Sequence, residues 1–120
     1  KGDLSIADEL FAEDFVNYDP GRGTTPDREG MKQFLINLRA AFPDQKLTVE
    51  DLIAEGDKVV LRFTGSGTHK GDLSGIPPTG KQFNVPGVSI LRIADGKVVE
   101  RWNVSDYLLL LQQLGIIPAM

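Results

Sequence analysis

Only a few side chains of this sequence carry groups that could move a proton at neutral pH. His69 is the sole histidine and stands in a glycine-rich stretch, and a histidine can act as a base near neutrality. Asp106 stands directly before the apolar run at residues 107–111, where partial burial would raise its pKa toward that of a general base. Each has a structural alternative. Asp106, beside Ser105, is well placed to cap the last helix, which is the favoured interpretation. His69 at a strand end is expected to line the rim of the site, although a lone histidine there is more often an exposed or structural residue.

The composition argues against several other kinds of chemistry. The absence of cysteine removes disulfides, thiolate nucleophiles and cysteine metal sites, and a single histidine disfavours a catalytic zinc site. Residues 75–80 are rich in glycine and proline but lack the Lys-Ser/Thr ending of a phosphate-binding loop. We therefore expect neither a metal nor a cofactor.

Length and charge limit the partners. The 120 residues predict one domain that spans residues 1–120, and the net charge of −4 argues against a nucleic-acid partner. The longest apolar run, residues 108–111, is far shorter than the roughly 20 residues of a membrane-spanning helix. Because the lack of cysteine suits the cytosol, we expect a cytoplasmic protein that binds neither nucleic acid nor membrane.

Two helices are predicted in the first third of the chain. Ser5 is a candidate N-cap for a helix over residues 6–12, and residues 15–18 form a short extended piece. Thr25 followed by Pro26 marks the start of a second helix, which Pro43 ends. The apolar face of that helix comprises Met31, Phe34, Leu35, Leu38 and Phe42.

The apolar period then changes to two, which predicts strands. Strands are expected over residues 47–53, with a bulge at Asp51, and over residues 59–64, 83–94 and 97–104, with a loop over residues 64–80 and a hairpin turn at Asp95-Gly96. A closing helix with Leu108, Leu111 and Leu114 on one face stops at Gly115. This order predicts an α+β fold in which an antiparallel meander has helices on one face.

Several segments, in their order and spacing, resemble the SnoaL-like polyketide cyclases. They are residues 14–17 (DFVN), 41–44 (AFPD), 67–71 (GTHKG), 75–80 (GIPPTG), 92–100 (RIADGKVVE), Asp106 and residues 113–115 (QLG). The resemblance implies the cone-shaped fold of the nuclear-transport-factor-two-like superfamily, in which a strongly curved, mostly antiparallel sheet and its helices surround a central cavity. Family members usually begin with a further helix before the Gly-Asp-Leu segment, so we expect that helix to be missing from this sequence, which opens at Lys1.

The resemblance also implies a reaction. Cyclases of this family close a ring by intramolecular aldol condensation without metal or cofactor, and this chemistry needs a base and donors for an enolate oxygen. The family's acid–base Asp and His positions match Asn103 and Ser89 here, neither of which is a base at neutral pH. The identical mechanism is therefore not expected.

Strand parity and the resemblance nominate the pocket side chains. Ser89 and Asn103 should lie on one side of the sheet and bind a carbonyl or hydroxyl, unless they only bond each other. Asn17 and Tyr18 should lie near the cavity, although Tyr18 could equally cover the core. Arg101 is a candidate partner of a substrate carboxylate, unless it pairs on the outer sheet surface.

We therefore expect a cofactor-free pocket protein, an isomerase or cyclase acting on a small, mostly apolar carbonyl compound by proton transfer. Asp106 is the first candidate base and His69 the second. The alternatives are a non-catalytic small-molecule binding protein, a structural dimer module and an epoxide-opening hydrolase. Trp102 alternates with Asn103 and should point to the outer sheet surface, so a homodimer is expected through that surface unless an N-terminal segment covers it.

Overall fold

In the part of the chain that the structure describes, three helices and five strands follow one another in the order that the sequence predicts. The computed structural model describes residues 5–20, 24–73 and 75–118. The elements are α1 (Ser5–Leu10), β1 (Phe11–Asn17), α2 (Arg28–Ala41), β2 (Lys46–Glu55), β3 (Lys58–Thr68), β4 (Gln82–Ala94), β5 (Lys97–Ser105) and α3 (Tyr107–Gln113). The predicted α+β class is confirmed.

The five strands form one curved, open sheet in the order β1-β5-β4-β3-β2. Strands β2 to β5 are the predicted antiparallel meander. Strand β1 adds to the far edge in parallel with β5, with Phe11 opposite Val98 and Asn17 opposite Arg101. This pairing joins the start of the chain to its end, which local sequence patterns do not predict.

Two bulges decide which side chains share a face. In β2 the register shifts between Val49 and Asp51, at the predicted place, so that Glu50 is the extra residue. In β5 the shift falls where Arg92 pairs with Glu100 and Ile93 with Val98, which makes Val99 the extra residue. We call the side of the sheet that carries Ser89 and Asn103 the inner face, and the side that carries Trp102 the outer face.

Two of the predicted boundaries are wrong. The first helix ends at Leu10 rather than at residue 12, because Phe11 already pairs with β5 and its ring lies 4.7 Å from that of Phe15. Strand β3 continues to Thr68 instead of becoming a loop at residue 64. Its glycines stay in the ladder, where Gly67 lets the ring of Phe83 and the Cβ of Phe42 approach closely. The hydrogen bonds of the Ser5 side chain lie outside the described structure.

The start of α2 also differs from the prediction. Asp27, not Thr25, is the N-cap, because its side chain accepts a 2.8 Å hydrogen bond from the backbone N–H of Gly30. The Thr25 hydroxyl donates to the same Asp27 oxygen at 2.6 Å. The predicted stop before Pro43 is confirmed, since Phe42 is the C-cap.

The core lies where the ends of α2 and α3 meet the middle of the sheet. It is built from Ala41, Phe42, Phe83, Val85, Leu110 and Leu114. The predicted face of α3 is wrong in part: Leu114 is buried as predicted, but Leu110 is buried with it, whereas Leu108 is 48% exposed. The buried pair is four residues apart, so these two side chains share the face of α3 that packs on β4. In the part of the chain that the structure describes, no helix is long and apolar enough to cross a membrane.

Candidate functional site

A polar pair occupies the centre of the inner face. Ser89 and Asn103 lie opposite each other in β4 and β5, as predicted, and the Ser89 hydroxyl donates a 2.6 Å hydrogen bond to Oδ1 of Asn103. Ser89 is buried and Asn103 half-buried, and the amide nitrogen of Asn103 donates to the Ser105 hydroxyl at 3.2 Å. The pair is therefore bonded to itself, the alternative that the sequence left open. Since neither side chain ionises near neutrality, the pair can orient a ligand but cannot remove a proton.

Asn17 and Arg101 form a second polar contact beside it. Asn17 is 1% exposed, and its Oδ1 accepts hydrogen bonds from Nη1 of Arg101 and from the backbone N–H of Asp19, both at 3.1 Å. Its amide nitrogen points to the sulfur of Met31 at 3.7 Å. Asn17 therefore has little capacity left for a ligand, and its evident task is to hold the Arg101 guanidinium in place.

Arg101 is a half-buried cation with unused donors. Besides Asn17, its Nη1 reaches only the carbonyl oxygen of Asp19 at 3.4 Å, and its guanidinium carbon lies 6.0 Å from the centre of the Phe34 ring. Burial lowers the pKa of Arg101, which Asp19 partly opposes. Among the described residues no carboxylate lies within salt-bridge distance of Arg101. Its remaining N–H groups can therefore donate to a carbonyl or carboxylate oxygen of a ligand.

The side chains of Asn17, Ser89, Arg101 and Asn103 form a polar cluster. Asp19 is a carboxylate beside this polar cluster that the sequence did not predict. Asp19 lies two residues beyond the end of β1. Its Oδ2 accepts a 2.7 Å hydrogen bond from the backbone N–H of Asn103. From sequence, Asp19-Pro20 is a typical turn, and nothing local indicates that it lies beside residue 103. Only the parallel pairing of β1 with β5 brings it there.

Asp106 serves as the N-cap of α3. Its Oδ1 accepts a 3.0 Å hydrogen bond from the backbone N–H of Leu109, which confirms the favoured interpretation of this residue. The side chain is exposed, and within the described residues its second carboxylate oxygen has no hydrogen-bond donor. The cap therefore leaves one oxygen free for other use.

His69 lies in the interior, not at the rim. It is 0% exposed, its ring centre lies 5.7 Å from that of Phe42, and its Nδ1 accepts from the backbone N–H of Thr79 at 3.2 Å. Nε2 has no partner within the described ranges. The predicted rim position is wrong because β3 extends to Thr68 and carries the next residue inward with it. His69 thereby fastens the loop around Thr79 to the core.

Tyr18 belongs to the outer face, so its predicted place in the pocket is wrong. Its ring stacks on Trp102 at 5.0 Å between centres and 11° between planes, and its hydroxyl donates to Glu100 at 2.7 Å. That hydrogen bond raises the pKa of Tyr18 and, together with Arg92, lowers the pKa of Glu100. Parity explains the placement, because Asn17 points inward and the next residue of the chain points outward. The predicted outward direction of Trp102 is confirmed, although Tyr18 partly covers it.

The inner face of β2 is apolar and open. Leu47, Val49 and Leu52 pair with inner-face residues of β3, yet they are 53%, 47% and 61% exposed. Two surface grooves, of about 510 and 840 Å³, lie elsewhere, and neither is lined by Ser89, Asn103 or Arg101. The central cavity implied by the resemblance therefore stays a prediction. No three potential metal-ligand side chains come together in the described ranges.

Comparison with known proteins identifies the family. The model of the SnoaL-like polyketide cyclase family matches residues 1–114, and the chain belongs to that family. A relative from Streptomyces nogalater, nogalonic acid methyl ester cyclase, is 32% identical over 118 residues, which span 95% of this chain and 87% of the relative. The aklanonic acid methyl ester cyclase of Streptomyces peucetius is 41% identical over 79 residues, 65% of this chain and 54% of that protein.

Solved structures agree with this assignment. The structure of TsrD from Streptomyces laurentii superposes with a TM-score of 0.86 at 34% identity and covers 97% of this chain and 85% of its own. IdmH from Streptomyces antibioticus gives a TM-score of 0.82 at 39% identity, over 95% of this chain and 88% of its own. The family resemblance drawn from the sequence is confirmed.

Proposed function

We propose that this protein is a cofactor-free enzyme of the polyketide cyclase type, which acts on a small, mostly apolar carbonyl compound by proton transfer. The observation that carries the proposal is Arg101, a half-buried guanidinium on the inner face with unused N–H donors and no carboxylate partner among the described residues. Two relatives named as cyclases of polyketide methyl esters support the reaction type.

In the proposed reaction, a base removes a proton from a carbon beside a carbonyl. The electron pair of the broken C–H bond moves to the carbonyl oxygen, and the N–H groups of Arg101 stabilise the resulting enolate. The enolate carbon then forms a bond to a second carbonyl carbon, whose oxygen takes up a proton. The Ser89–Asn103 hydrogen bond fixes the orientation of the Asn103 amide, which can then orient the second carbonyl.

Two side chains are the candidates for the base. Asp106 is the candidate that the sequence nominates, and its uncommitted oxygen keeps it available. His69 is the second candidate, but a ring with no exposed surface reaches a substrate only if the loop that covers it moves. The proposal includes no metal and no cofactor.

The apolar inner face of β2 supports a substrate that is mostly apolar. Leu47, Val49 and Leu52 together offer an exposed hydrophobic strip beside the polar cluster. A ring system laid on this strip would remove apolar surface from water, at roughly 25 cal/mol per Å² buried, while its carbonyl groups face Arg101. Such a ligand would fill the central cavity that the family fold implies.

The test uses nogalonic and aklanonic acid methyl esters as probes, with chromatographic detection of the cyclised product. We expect turnover by the wild-type protein and a loss of about 10²-fold or more in kcat/KM for Arg101→Met. Saturable binding without turnover would favour the non-catalytic binding protein. If the protein neither binds nor turns over these compounds or simpler 1,5-diketones, the proposal is contradicted.

We also propose a cytoplasmic homodimer that pairs through the outer face. An apolar row crosses four strands there, Ile53, Val60, Ile90 and Trp102, and Val104 beside it is 74% exposed. Val104→Asp should shift the sedimentation coefficient to that of a monomer, because it places a charge in the apolar centre of the interface. Lys70→Glu, a charge change at an exposed position, is the control. A wild-type protein that sediments as a monomer at high micromolar concentration would contradict the dimer.

A further inference from the structure

We propose that Asp19, rather than Asp106, is the acid–base residue of this site, an inference that rests on the proposed function and reassigns its base. Three hydrogen bonds tie Asp19 to the polar cluster. Its Oδ2 accepts from the Asn103 backbone N–H at 2.7 Å, its own N–H donates to Asn17 at 3.1 Å, and its carbonyl accepts from Arg101 at 3.4 Å.

The position of Asp19 matches what the reaction requires. A base must lie beside the donors that hold the enolate oxygen, and Asp19 contacts both Asn103 and Arg101. Its side chain is exposed, so a ligand lying over the cluster can reach it. Within the described residues Oδ1 has no hydrogen-bond donor, which leaves one carboxylate oxygen free to accept a proton while Oδ2 stays anchored.

The competing carboxylates are less well placed. Glu100 lies on the outer face, where both of its carboxylate oxygens accept hydrogen bonds, one from Tyr18 and one from Arg92. Asp106 is committed through one oxygen to the N-terminus of α3, and in the described structure its side chain makes no hydrogen bond to Ser89, Asn103 or Arg101. Among these three carboxylates, Asp19 is therefore the one whose side chain is hydrogen-bonded to a member of the Ser89–Asn103 pair.

The proton balance of the step closes on Asp19. The substrate C–H bond breaks, its proton goes to Oδ1 of Asp19, and its electron pair moves to the carbonyl oxygen held by Arg101. The enolate carbon then bonds to the second carbonyl carbon. The oxygen of that carbonyl takes the proton from Asp19, which returns to the carboxylate, so no oxidant or co-reactant is consumed.

The alternative is that Asp19 has only a structural role, because its Oδ2 accepts the backbone N–H of Asn103, which lies beyond the last residue pair of β1 and β5. Asp19→Asn separates the two roles because the amide oxygen can still accept that N–H but cannot take a proton. We expect Asp19→Asn to unfold within about 2 °C of the wild type and to bind the methyl ester probe within about threefold. Its kcat should fall by about 100-fold or more.

Two further variants sharpen the test. Asp19→Glu retains a carboxylate one methylene further from the backbone and should keep more activity than Asp19→Asn. It also serves if the amide variant fails to fold. Asp57→Asn, the same change in the exposed turn between β2 and β3, should have wild-type activity. The acidic limb of the wild-type pH profile of kcat should disappear in Asp19→Asn, which a purely structural residue would not cause.

The outcomes separate this inference from the proposed function. Wild-type turnover with kcat of folded Asp19→Asn within about threefold overturns the inference and leaves the proposed function standing. A loss of turnover in Asp106→Asn with no loss in Asp19→Asn does the same and assigns the base to Asp106. A wild-type protein without any turnover overturns both.

Discussion

Nη1 of Arg101 lies 3.1 Å from Oδ1 of Asn17, and the two residues are register partners in the parallel pair of β1 and β5. The cation of the candidate site is thus positioned by a fully buried amide from the opposite end of the chain. Neither residue can be understood alone: Asn17 explains why Arg101 points inward, and Arg101 explains why a polar Asn17 is tolerated at 1% exposure.

Replacing Arg101 should reduce activity far more than stability. In Arg101→Met the hydrogen bonds to Asn17 and Asp19 are lost, but so is the cost of burying a charge, and methionine fills a similar volume beside Phe34. We expect the free energy of unfolding, measured by urea denaturation, to stay within about 1 kcal/mol of the wild type. Arg101→Lys should retain part of the activity. A large loss of stability with proportionate loss of activity would mean that Arg101 is structural.

The Ser89–Asn103 hydrogen bond should show an asymmetric dependence on its two partners. Asn103→Leu leaves the buried Ser89 hydroxyl without its acceptor and should cost about 1–3 kcal/mol, whereas Ser89→Ala should cost about 1 kcal/mol. The double variant should be less destabilised than the sum of the two, because no orphaned group remains. Denaturant unfolding of the four proteins measures this coupling. Strict additivity would refute a direct interaction.

Acid should weaken the contact that Asp44, in the loop between α2 and β2, makes with the end of β3. Hydrogen bonds from the hydroxyl and backbone N–H of Thr68 lower the pKa of Asp44. A carboxyl whose pKa is depressed by folding adds stability that is fully present above its ordinary pKa and is lost as the pH falls through its folded value. Asp44→Asn should therefore be less stable than the wild type near pH 7, and the difference should shrink below about pH 4.

The measurement for Asp44 is thermal unfolding over a series of acidic pH values. Thr68→Val removes the hydroxyl donor and should reduce the same pH dependence, since it removes the first cause of the shift. A stability difference between wild type and Asp44→Asn that is constant across the acidic range would show that the pKa of Asp44 is the same folded and unfolded.

Gly71 should be intolerant of any side chain. A Cβ there would lie 1.9 Å from the carbonyl oxygen of Ala40, which is backbone and cannot move aside cheaply. The N–H of Gly71 also donates to the carbonyl of Ala41 at 3.1 Å. Gly71→Ala should therefore lower the free energy of unfolding by about 2 kcal/mol or more. Gly65→Ala, whose Cβ would meet nothing nearer than 4.0 Å, is the matched control and should change it by less than about 1 kcal/mol.

Local patterns predicted the elements well where short-range physics decides them. The two-residue alternation located β4 and β5, and the Asp95-Gly96 turn joins them as predicted. Counting across that turn alone would place Ser89 opposite Trp102. The extra residue Val99 moves its partner to Asn103, which the family resemblance had indicated. The cap at Asp106 likewise depends only on the residues that follow it. The face of α3 was misassigned because four consecutive leucines carry no periodicity, so tertiary contacts choose Leu110.

The parts of the site that sequence reasoning missed depend on long-range pairing. Asp19 lies beside Asn103 only because β1 pairs with β5. Tyr18 lies on the outer face because side chains alternate between the two faces and its neighbour Asn17, the partner of Arg101, points inward. His69 was misplaced because the glycine-rich sequence was taken to end β3. Gly65 and Gly67 instead stay in the ladder, and the Phe83 ring packs closely against Gly67.

The parallel edge strand has a kinetic consequence. Residue 11 pairs with residue 98, so β1 must wait, unpaired, until residue 98 has left the ribosome. The meander of β2 to β5 closes through short turns and can form first, since shorter loops cost less entropy to close. Arg101, Asn17 and Asp19 would then come together when β1 docks on β5, so the site would be completed only after the meander has formed.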